Sequence, residues 1–574
     1  APPADGRIDV QGALTNDGGR IAANGRTALT TRGSLDNAGG TLALDTLHAW
    51  GERLDNAGGK ISADTLALSV GTLNNRGGEL LQTGDRPFSL ALTGKLDNTD
   101  GKIAGGNDLN VQANVLNNTR GQLLSGGQAA FIAGELNNTQ GALSGTHGLS
   151  VTASGRLANR SGRIASNGDL SIEAGSLDNA DGQLLAGANF RARIARALET
   201  TGNALIAAGT DLSLEAGSLN NAARLQSGRQ LTLSAGNLNN AGAVHARGDA
   251  HLHAAQLTQS AAGAITAQGQ LALNAGEISS RGALGAQTLN VDASGRATLS
   301  GTHAADSLAF NAGSLDLAGS RNQAANILLT ARQGDIDASG ARLTASNRFA
   351  ARTTKALRLD GALLSADSLA LSAQALSNRG GELIQAGQGD FSLALSGALD
   401  NTGGKLLSAG SMTLTAERLH NHNGTLHANQ NLTLTTQRTD NAGGRLRAAQ
   451  GDLTHTQHTG SDEAAGIQEA GGKLSLKSGG ALTFAATDRL SAGQSMSLTA
   501  GGDLTTAGQW VTNGDINVQA ASLNLRAGSR IDAKHIALNA ERALTGSGTT
   551  LVGEHLALRG ANLALTGSTL SSAG

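Results

Sequence analysis

Apolar residues recur along this chain two positions apart, and each short apolar run is followed by a break that contains glycine or asparagine. In the stretch from residue 157 to 172 the apolar positions are Leu157, Ile164, Leu170 and Ile172. A spacing of two is the period of a β-strand, in which alternate side chains share one face. The stretch therefore predicts three short strands separated by three corners.

The same stretch returns along the chain. Its marker is Leu-x-Asn, which recurs at a nearly constant spacing from Leu14-x-Asn16 to Leu177-x-Asn179. Such a fixed period is the signature of a repeat architecture, and helical repeats are excluded because Gly, Asn, Thr and Ser interrupt every potential helix. Disorder is the alternative for such a polar chain, but it gives no reason for periodic leucines. The sequence therefore predicts an all-β parallel β-helix, a three-sheet β-solenoid with about 20 residues per coil and about 28 coils.

The asparagine of the marker lies two residues after an inward leucine, so we expect its side chain to point into the core or the corner. In successive coils such amides can hydrogen-bond to one another, as Asn ladders do in stacked β-structures. We predict that this ladder is structural and consists of Asn37, Asn56, Asn75, Asn98, Asn118, Asn138, Asn159, Asn179, Asn221, Asn240, Asn378, Asn401 and Asn421.

Glycine pairs follow many of these asparagines, as in Asn37-Ala-Gly39-Gly40. We interpret them as corner residues that need a positive φ. A phosphate cradle is excluded because no pair opens a helix, and a calcium-binding nonapeptide coil is excluded because the repeat is not nine residues long.

The marker divides the chain into five parts. Residues 5–254 carry regular repeats, 255–368 degenerate coils, 369–447 regular repeats again, 448–472 an irregular acidic loop, and 473–574 coils of a divergent repeat type. The third part is a partial duplication of residues 66–144, because residues 73–92 return almost unchanged 303 positions later. We expect Gly84 to Pro87 and Gly387 to Asp390 to form the same small bulge in both copies.

Composition limits the classes of function. The 574 residues carry a formal net charge of −2, so no broad basic field predicts nucleic-acid binding, and no apolar run is long enough to predict a membrane span. Cysteine is absent, which suits export. The start of the sequence lacks the basic and apolar regions of a signal peptide. We therefore expect the secretion signal to lie outside this sequence, and the chain to be an internal piece of a longer protein.

Stretches such as Leu54-Asp-Asn-Ala-Gly-Gly-Lys-Ile61 and Leu116-Asn-Asn-Thr-Arg-Gly-Gln-Leu123 resemble the repeats of filamentous haemagglutinins and of contact-dependent growth-inhibition toxins. The resemblance is strong over about 5–254 and 376–447. It implies a right-handed β-helix that is secreted through an outer-membrane β-barrel transporter and folds at the cell surface. In that family the filament serves adhesion or carries a receptor-binding region and a toxin, but the sequence identifies no receptor or glycan on the target cell.

Two short motifs are candidates for adhesion. Arg247-Gly248-Asp249 spells the integrin tripeptide, although its neighbours in adjacent coils favour an ordinary Gly-Asp corner. Arg191 and Arg193 lie on one strand face and are candidates for contact with sulfated glycans, with a solvated face as the alternative. Both pairs of interpretations remain open at this stage.

Metal and catalytic sites have little support. His245, His251 and His253 form one group and His420, His422 and His427 another, but solvated outward positions explain both. Parallel β-helices include polysaccharide lyases and hydrolases, which need clustered carboxylates and sugar-stacking aromatics. Here the acidic residues are scattered and tyrosine is absent. We therefore predict no cofactor, no metal and no enzyme, but a stiff extracellular spacer, with an adhesive lateral face as the alternative.

Overall fold

The computed structural model of the protein describes residues 6–23, 25–460 and 465–572. Every regular element in these ranges is a β-strand. The chain forms two compact units, Ala1–Gln287 and Thr288–Gly574.

The first unit consists of short and long strands in strict succession. They are β1 Gly6–Val10, β2 Leu14–Thr15, β3 Arg20–Ala22, β4 Thr27–Thr31, β5 Leu35–Asp36, β6 Thr41–Asp55, β7 Lys60–Asn74, β8 Glu79–Gln82, β9 Phe88–Ala91, β10 Lys95–Asp97, β11 Lys102–Gly105, β12 Leu109–Asn117, β13 Gln122–Ser125, β14 Gln128–Asn137, β15 Ala142–Gly145, β16 Gly148–Ala158, β17 Arg163–Ser166, β18 Asp169–Asp178, β19 Gln183–Ala186, β20 Phe190–Thr200, β21 Leu205–Ala208, β22 Leu212–Asn221, β23 Arg224–Ser227, β24 Leu231–Asn240, β25 Ala243–Ala246, β26 Ala250–Gln259, β27 Ala264–Ala267, β28 Gln270–Ser280 and β29 Ala283–Gly285.

The second unit continues in the same manner. Its strands are β30 Thr288–Ala293, β31 Arg296–Leu299, β32 Thr302–Ala304, β33 Ser307–Ala312, β34 Ser314–Asp316, β35 Arg321–Ala331, β36 Ile336–Asp337, β37 Arg342–Thr353, β38 Ala356–Arg358, β39 Leu363–Ser372, β40 Ala375–Ser377, β41 Glu382–Gln385, β42 Phe391–Ala394, β43 Ala398–Asp400, β44 Lys405–Ser408, β45 Met412–His420, β46 Thr425–Ala428, β47 Leu432–Asp440, β48 Arg445–Ala448, β49 Leu453–Gln457, β50 Ile467–Ala470, β51 Leu474–Ser478, β52 Leu482–Phe484, β53 Arg489–Ala492, β54 Met496–Ala500, β55 Leu504–Thr506, β56 Gln509–Thr512, β57 Asp515–Ala520, β58 Leu523–Leu525, β59 Arg530–Asp532, β60 His535–Ala540, β61 Ala543–Ser547, β62 Thr550–Gly553, β63 His555–Arg559, β64 Asn562–Thr566 and β65 Thr569–Ser572.

Each coil contains three strand segments. In one coil of the first unit, β12 bends at Asn114 and so supplies two segments, and β13 supplies the third. Each segment pairs in parallel with its equivalent one coil later, so that Leu109 lies beside Ala129 and Gln122 beside Ala142. The second unit follows the same rule, with β45 beside β47 and β46 beside β48. The predicted all-β parallel solenoid is confirmed, and so is the length of its coil.

The core consists of the inward residues of all three segments. Burial alternates along β12, where Leu109, Val111, Ala113 and Leu116 are buried and the residues between them are more exposed. All seven phenylalanines of the chain are fully buried, as is Trp510, whose ring meets that of Phe484 edge to face at 5.4 Å between centroids. The apolar positions of the sequence therefore form one continuous stack inside each unit.

The divergent coils near the end of the second unit differ in how their strands connect. Their middle segments, β52, β55, β58, β61 and β64, form a separate parallel sheet of five strands. In coils such as that of β12, by contrast, the first two segments are one strand that continues around the corner. Separate middle segments also occur earlier in the second unit, as in β31, β34 and β43, so the break between the first two segments is not limited to the coils after residue 473.

The interval 448–472 differs from the irregular acidic loop that the sequence led us to expect. It contains β49 and β50, which continue the pairing of β47 and β48. The inward positions of these strands hold polar residues such as His455 and Gln468 in place of leucine, which hides the strand pattern in the sequence. Residues 461–464 of the predicted loop lie outside the described residues.

The two predicted bulges have matching structures. Each lies between a strand that ends in an inward glutamine, Gln82 or Gln385, and a strand that begins with an inward phenylalanine. Gln82 accepts a hydrogen bond from the backbone N of Leu66 at 3.1 Å and donates one to the carbonyl of Arg86. Gln385 makes the equivalent bonds, 3.2 Å from the backbone N of Leu369 and 2.5 Å to Gly389 O. A buried amide therefore closes each bulge.

Two histidines lie fully inside the second unit. His303 Nδ1 donates to Asn322 Oδ1 at 2.7 Å, and its ring meets Phe310 edge to face. His455 occupies a position held by leucine in both adjacent coils, and its Nε2 lies 3.1 Å from Thr439 Oγ1. Burial lowers the pKa of each imidazole from 6.5 to about 4. Both side chains are therefore neutral in the folded protein at neutral pH.

These histidines predict loss of stability in mild acid. Between pH 6.5 and 4 the unfolded chain binds protons that the folded chain does not, so the free energy of unfolding falls as the pH drops and levels off below about pH 4. The pKa shift corresponds to about 3 kcal/mol per histidine. His455→Leu should remove its share of this pH dependence, measured by urea unfolding at pH 7 and pH 4.5. The outward His251→Leu is the control, and an equal effect of both substitutions would contradict the assignment.

Candidate functional site

An unbroken chain of asparagine side chains runs along one corner of the first unit. Each Nδ2 donates to the Oδ1 of the asparagine one coil later, at distances of 2.7 to 2.8 Å. The chain contains Asn16, Asn37, Asn56, Asn75, Asn98, Asn118, Asn138, Asn159 and Asn179. All the donors point the same way, so the amide dipoles are aligned head to tail.

Each amide also binds the backbone of the corner. Asn118 Nδ2 lies 3.1 Å from the carbonyl of Gly121 in its own coil and 3.2 Å from that of Ala142 in the next. Asn118 is fully buried, as are most members of the chain. Gly121 O also accepts the backbone N of Ala142 at 2.8 Å, so the asparagine provides a second hydrogen bond to a carbonyl that the corner removes from water.

Further segments of the ladder occur elsewhere. Asn221 donates to Asn240 at 2.7 Å, and in the second unit Asn378, Asn401, Asn421 and Asn441 form a chain with distances of 2.6 to 2.8 Å. The Leu-x-Asn marker did not find Asn441, because Thr439 replaces the leucine; the following Gly443-Gly444 is the signal that remained.

The ladder is interrupted after Asn179. Thr200 takes the next position, is fully buried, and its Oγ1 has no hydrogen-bond partner among the described residues. Beyond Asn240 the positions belong to Gln259 and Ser280, and Ser280 Oγ donates to Gln259 Oε1 at 2.7 Å. A hydroxyl group on Cβ is too short to bridge two coils, whereas a glutamine reaches a neighbour.

The two glycines of a corner have different functions. The first position has a positive φ, as expected, but Asp100, Arg120, Gln140, Ser161 and Asp181 also adopt it. The second glycine has no such φ; a Cβ on Gly121 would overlap Asn98 O and Asn118 Oδ1. The prediction that both glycines serve φ is therefore wrong for the second, which is needed because the backbone carbonyl of the previous coil and the asparagine amides fill the space of a side chain.

Corners without the asparagine support this explanation. In three coils of the second unit the asparagine position holds Leu317, Ala338 or Leu359. The residue three positions later is then serine or alanine, namely Ser320, Ala341 or Ala362. Each of these donates its backbone N to the carbonyl three residues earlier, as the glycine does, so the turn is the same.

A second ladder, which the sequence analysis missed, lies outside the first. The middle residue of Leu-x-Asn is usually Asp or Asn, and its Oδ1 accepts the backbone N two residues later at 3.1 to 3.4 Å. Neighbouring coils are joined here too, since Asn74 Nδ2 donates to Asp55 Oδ1 at 2.9 Å. Burial alone would raise the pKa of Asp97, but hydrogen bonds from Thr99 and Lys95 outweigh it and hold the pKa below its usual value. The Asp97 carboxylate is thus held ionised at the corner.

The integrin-like tripeptide lies at a corner between two strands. Asp249 Oδ1 accepts the backbone N of Gln270 in the next coil at 2.7 Å. Asp169 and Asp211 make the same bond in their coils, at 3.0 and 3.2 Å. Arg247 is exposed and Gly248 partly buried. The geometry of Asp249 is therefore that of a repeated structural corner.

Arg191 and Arg193 lie on the outward face of β20, as the sequence predicted. The register places Glu173 and Glu215 on either side of Arg193, and Arg193 Nε is 3.1 Å from Glu215 Oε2. Two acidic groups therefore compensate the two cations. This arrangement favours a solvated face over an anion-binding one.

The histidine groups do not converge on a common point. His245 Nδ1 lies 2.9 Å from Thr266 Oγ1, and no cluster of three metal-binding side chains occurs in ranges 6–23, 25–460 and 465–572. The two tryptophans lie in different environments. Trp50 is 42% exposed and stacks on His48, whereas Trp510 is buried. The second group surrounds a different corner. His420 ends β45, His422 lies in the turn that follows, and His427 lies in β46.

Comparison with known proteins gives the family. The profile described as haemagglutinin repeat matches residues 4–39, 41–85, 88–161, 137–197, 191–301 and 342–416, which together are more than half of the chain. The chain belongs to the haemagglutinin-repeat family. The matched ranges of this haemagglutinin-repeat chain include coils between 255 and 301 that lack the Leu-x-Asn marker. The family profile therefore also matches coils whose corners are degenerate.

A relative supports the resemblance to growth-inhibition toxins. Over 118 residues the haemagglutinin-repeat chain is 42% identical to Toxin CdiA of Yersinia pestis. The aligned stretch is 21% of this chain and 4% of that protein, so the chain spans a small fraction of the relative's length. No solved structure matches it. Within the described residues no helix is long and apolar enough to cross a membrane.

Removing one amide tests the ladder. Asn118→Leu leaves Asn98 Nδ2 without its acceptor and Asn138 Oδ1 without its donor in a buried corner. We expect a loss of about 3 kcal/mol of unfolding free energy, since each unpaired buried group costs about 1 to 3 kcal/mol. Urea unfolding followed by circular dichroism measures it. Asn110→Leu, on an outward strand position, is the control, and equal stability of the two variants would remove the ladder from the account.

Adding one methyl group tests the function of the second glycine. Gly121→Ala should destabilise the protein by about 2 kcal/mol, because the new Cβ overlaps the backbone carbonyl of Asn98 and the side-chain amide of Asn118. Arg120→Gly, at the neighbouring position with φ 53°, should change the free energy by less than about 1 kcal/mol. Both are measured by thermal unfolding. If the two variants melted at the same temperature, the need for glycine at position 121 would come from its backbone conformation and not from the atoms packed against it.

Proposed function

We propose that the chain is a structural segment of a secreted exoprotein, which passes through an outer-membrane β-barrel transporter and stands at the bacterial cell surface. Its function is to hold a receptor-binding or toxin module of the same protein away from that surface. Membership in the haemagglutinin-repeat family and similarity to a CdiA toxin support the class of protein.

One observation carries the proposal: the hydrogen bonds that join successive coils follow the stacking direction. The backbone ladders and the asparagine chain both do so, and in the first unit the asparagine chain links nine coils without interruption. Bending a unit would have to stretch these bonds on one side, and each is buried away from water that could replace it. Such a unit resists bending and is therefore suited to hold an attached module at a fixed distance.

A second candidate function is adhesion by a lateral face, and one observation favours it. The outward side of β37 carries Arg348 and Arg352 with no ion pair among the described residues. An uncompensated basic face is exposed to solvent in the second unit. On this alternative the segment itself contacts a glycan of the target cell.

Binding of the purified, fluorescently labelled chain to intact Gram-negative bacteria and to epithelial cells separates the two candidates. A spacer predicts no saturable binding to either cell type at micromolar concentrations. Saturable binding that unlabelled chain displaces would contradict the spacer as the sole function. Release of reducing ends from acidic polysaccharides by the chain would contradict both candidates, since it would show an enzyme.

A further inference from the structure

Three cations of one coil in the second unit project from the same side of the solenoid. Arg348 and Arg352 are exposed residues of β37, and between them Phe349 and Ala351 point into the core. Lys355 is exposed at the corner that follows, just before β38. Alternation along the strand therefore places both guanidinium groups on the outward face, with the ammonium group at its edge.

No acidic residue occupies the outward positions that register with the two arginines, whereas Asp335 lies near Lys355, since its Oδ1 accepts the backbone N of Ala356 at 3.1 Å. Those that register with Arg348 and Arg352 are Asn326 and Thr330 in the preceding coil and Ser368 and Ser372 in the following one. One coil further back they are Ser307 and Asn311. The nearby cations Arg332 and Arg358 are paired, with Asp292 and Asp335, whereas Arg348, Arg352 and Lys355 have no ion pair among the described residues.

The middle row of the face is aliphatic. Ala350 lies between the two arginines, with Leu328 beside it in the preceding coil and Ala370 in the following one. Leu328 is 40% exposed, and Ala350 only 8%. The arginines are four residues apart, which in an extended strand is about 13 Å. The aliphatic row therefore runs between two rows of polar side chains. In the coil of β37, each of these two polar rows holds one arginine.

We propose that this basic face of β37 binds a linear acidic polysaccharide. Guanidinium groups donate paired hydrogen bonds to sulfate or carboxylate groups, and anions repeated along a chain match cations placed at intervals along a strand. The aliphatic row accepts the apolar side of a sugar ring. The inference rests on the second candidate function, adhesion, and it names the ligand class and the surface.

Other polyanions fit this face less well. A membrane surface would require several apolar side chains that reach into the lipid, and Leu328 is the single large one exposed on these coils. Single-stranded nucleic acid would require aromatic side chains for stacking, and the only aromatic residue of β37, Phe349, is buried. The positive charge of this face and the serine and threonine hydroxyl groups around it thus favour a polysaccharide.

The Arg191–Arg193 pair of the first unit provides a matched comparison. Its side-chain chemistry is the same and it also lies on an outward strand face, with its arginines two residues apart instead of four, but Glu173 and Glu215 flank Arg193. Because a neutral face attracts no polyanion over distance, we expect no affinity there. The number of nearby acidic residues, not the number of arginines, then distinguishes the two faces.

Isothermal titration calorimetry of the whole chain with a heparin decasaccharide tests the proposal. We expect binding that weakens about twentyfold between 50 and 200 mM salt, as release of about three counterions requires. The triple variant Arg348→Gln, Arg352→Gln, Lys355→Gln should lose at least about tenfold in affinity and most of the salt dependence. Arg191→Gln with Arg193→Gln should bind as the unchanged chain does.

Several results would overturn the proposal. These are no heparin binding at 50 mM salt, equal loss in the two sets of variants, or equally tight binding of phosphatidylglycerol vesicles or duplex DNA. Circular dichroism at matched concentration shows whether the variants are folded, and outward glutamines leave the core unchanged. Failure here leaves the spacer function standing, because that function is judged by binding to cells and not by binding to heparin.

Discussion

The structure depends on a chain of side-chain amides, each of which donates to the next coil and accepts from the previous one. At each corner the backbone carbonyls are buried, and one such as Gly121 O, which accepts the backbone N of Ala142 at 2.8 Å, still has a lone pair for a second donor. The asparagine amide has two N–H donors and a carbonyl acceptor, so it can bond to these carbonyls and also donate to the next amide, whereas a threonine hydroxyl has one donor. Neither leucine nor threonine can do both, which explains the interruption at Thr200.

Other features follow from this amide. Its position beside the backbone excludes a Cβ three residues later in the chains from Asn16 to Asn179 and from Asn378 to Asn441, where glycine accompanies every asparagine. The corners of Asn221 and Asn240 have Arg224 and Ala243 at that position instead. The outward Asp or Asn next to it closes the turn from the other side. The coil can then lengthen slightly without loss of register, because the extra residues leave the solenoid between strands, as in the bulge closed by Gln82.

The fold and the ladder could be predicted because periodicity reports burial directly: an inward residue must be apolar, or paired, in every coil. What the period does not report is where a polar residue is inward by exception. His455, Gln468 and Asn441 occupy inward positions but interrupt the leucine pattern, so the pattern predicts a loop where strand β50 lies and omits Asn441 from the ladder. Ionic compensation was equally hidden, because Glu173 and Glu215 are each a full coil away from Arg193 in the sequence and become its neighbours only when the coils stack.

The central claim is that the asparagine amides are hydrogen-bonded to one another inside the folded protein. Exchange of the side-chain Nδ2 protons with solvent, measured by NMR on chain labelled with nitrogen-15 in asparagine, tests it most directly. The account predicts that the protons of Asn98, Asn118 and Asn138 exchange orders of magnitude more slowly than those of the outward Asn110. Exchange of all these amides at the rate of an exposed side chain would contradict it.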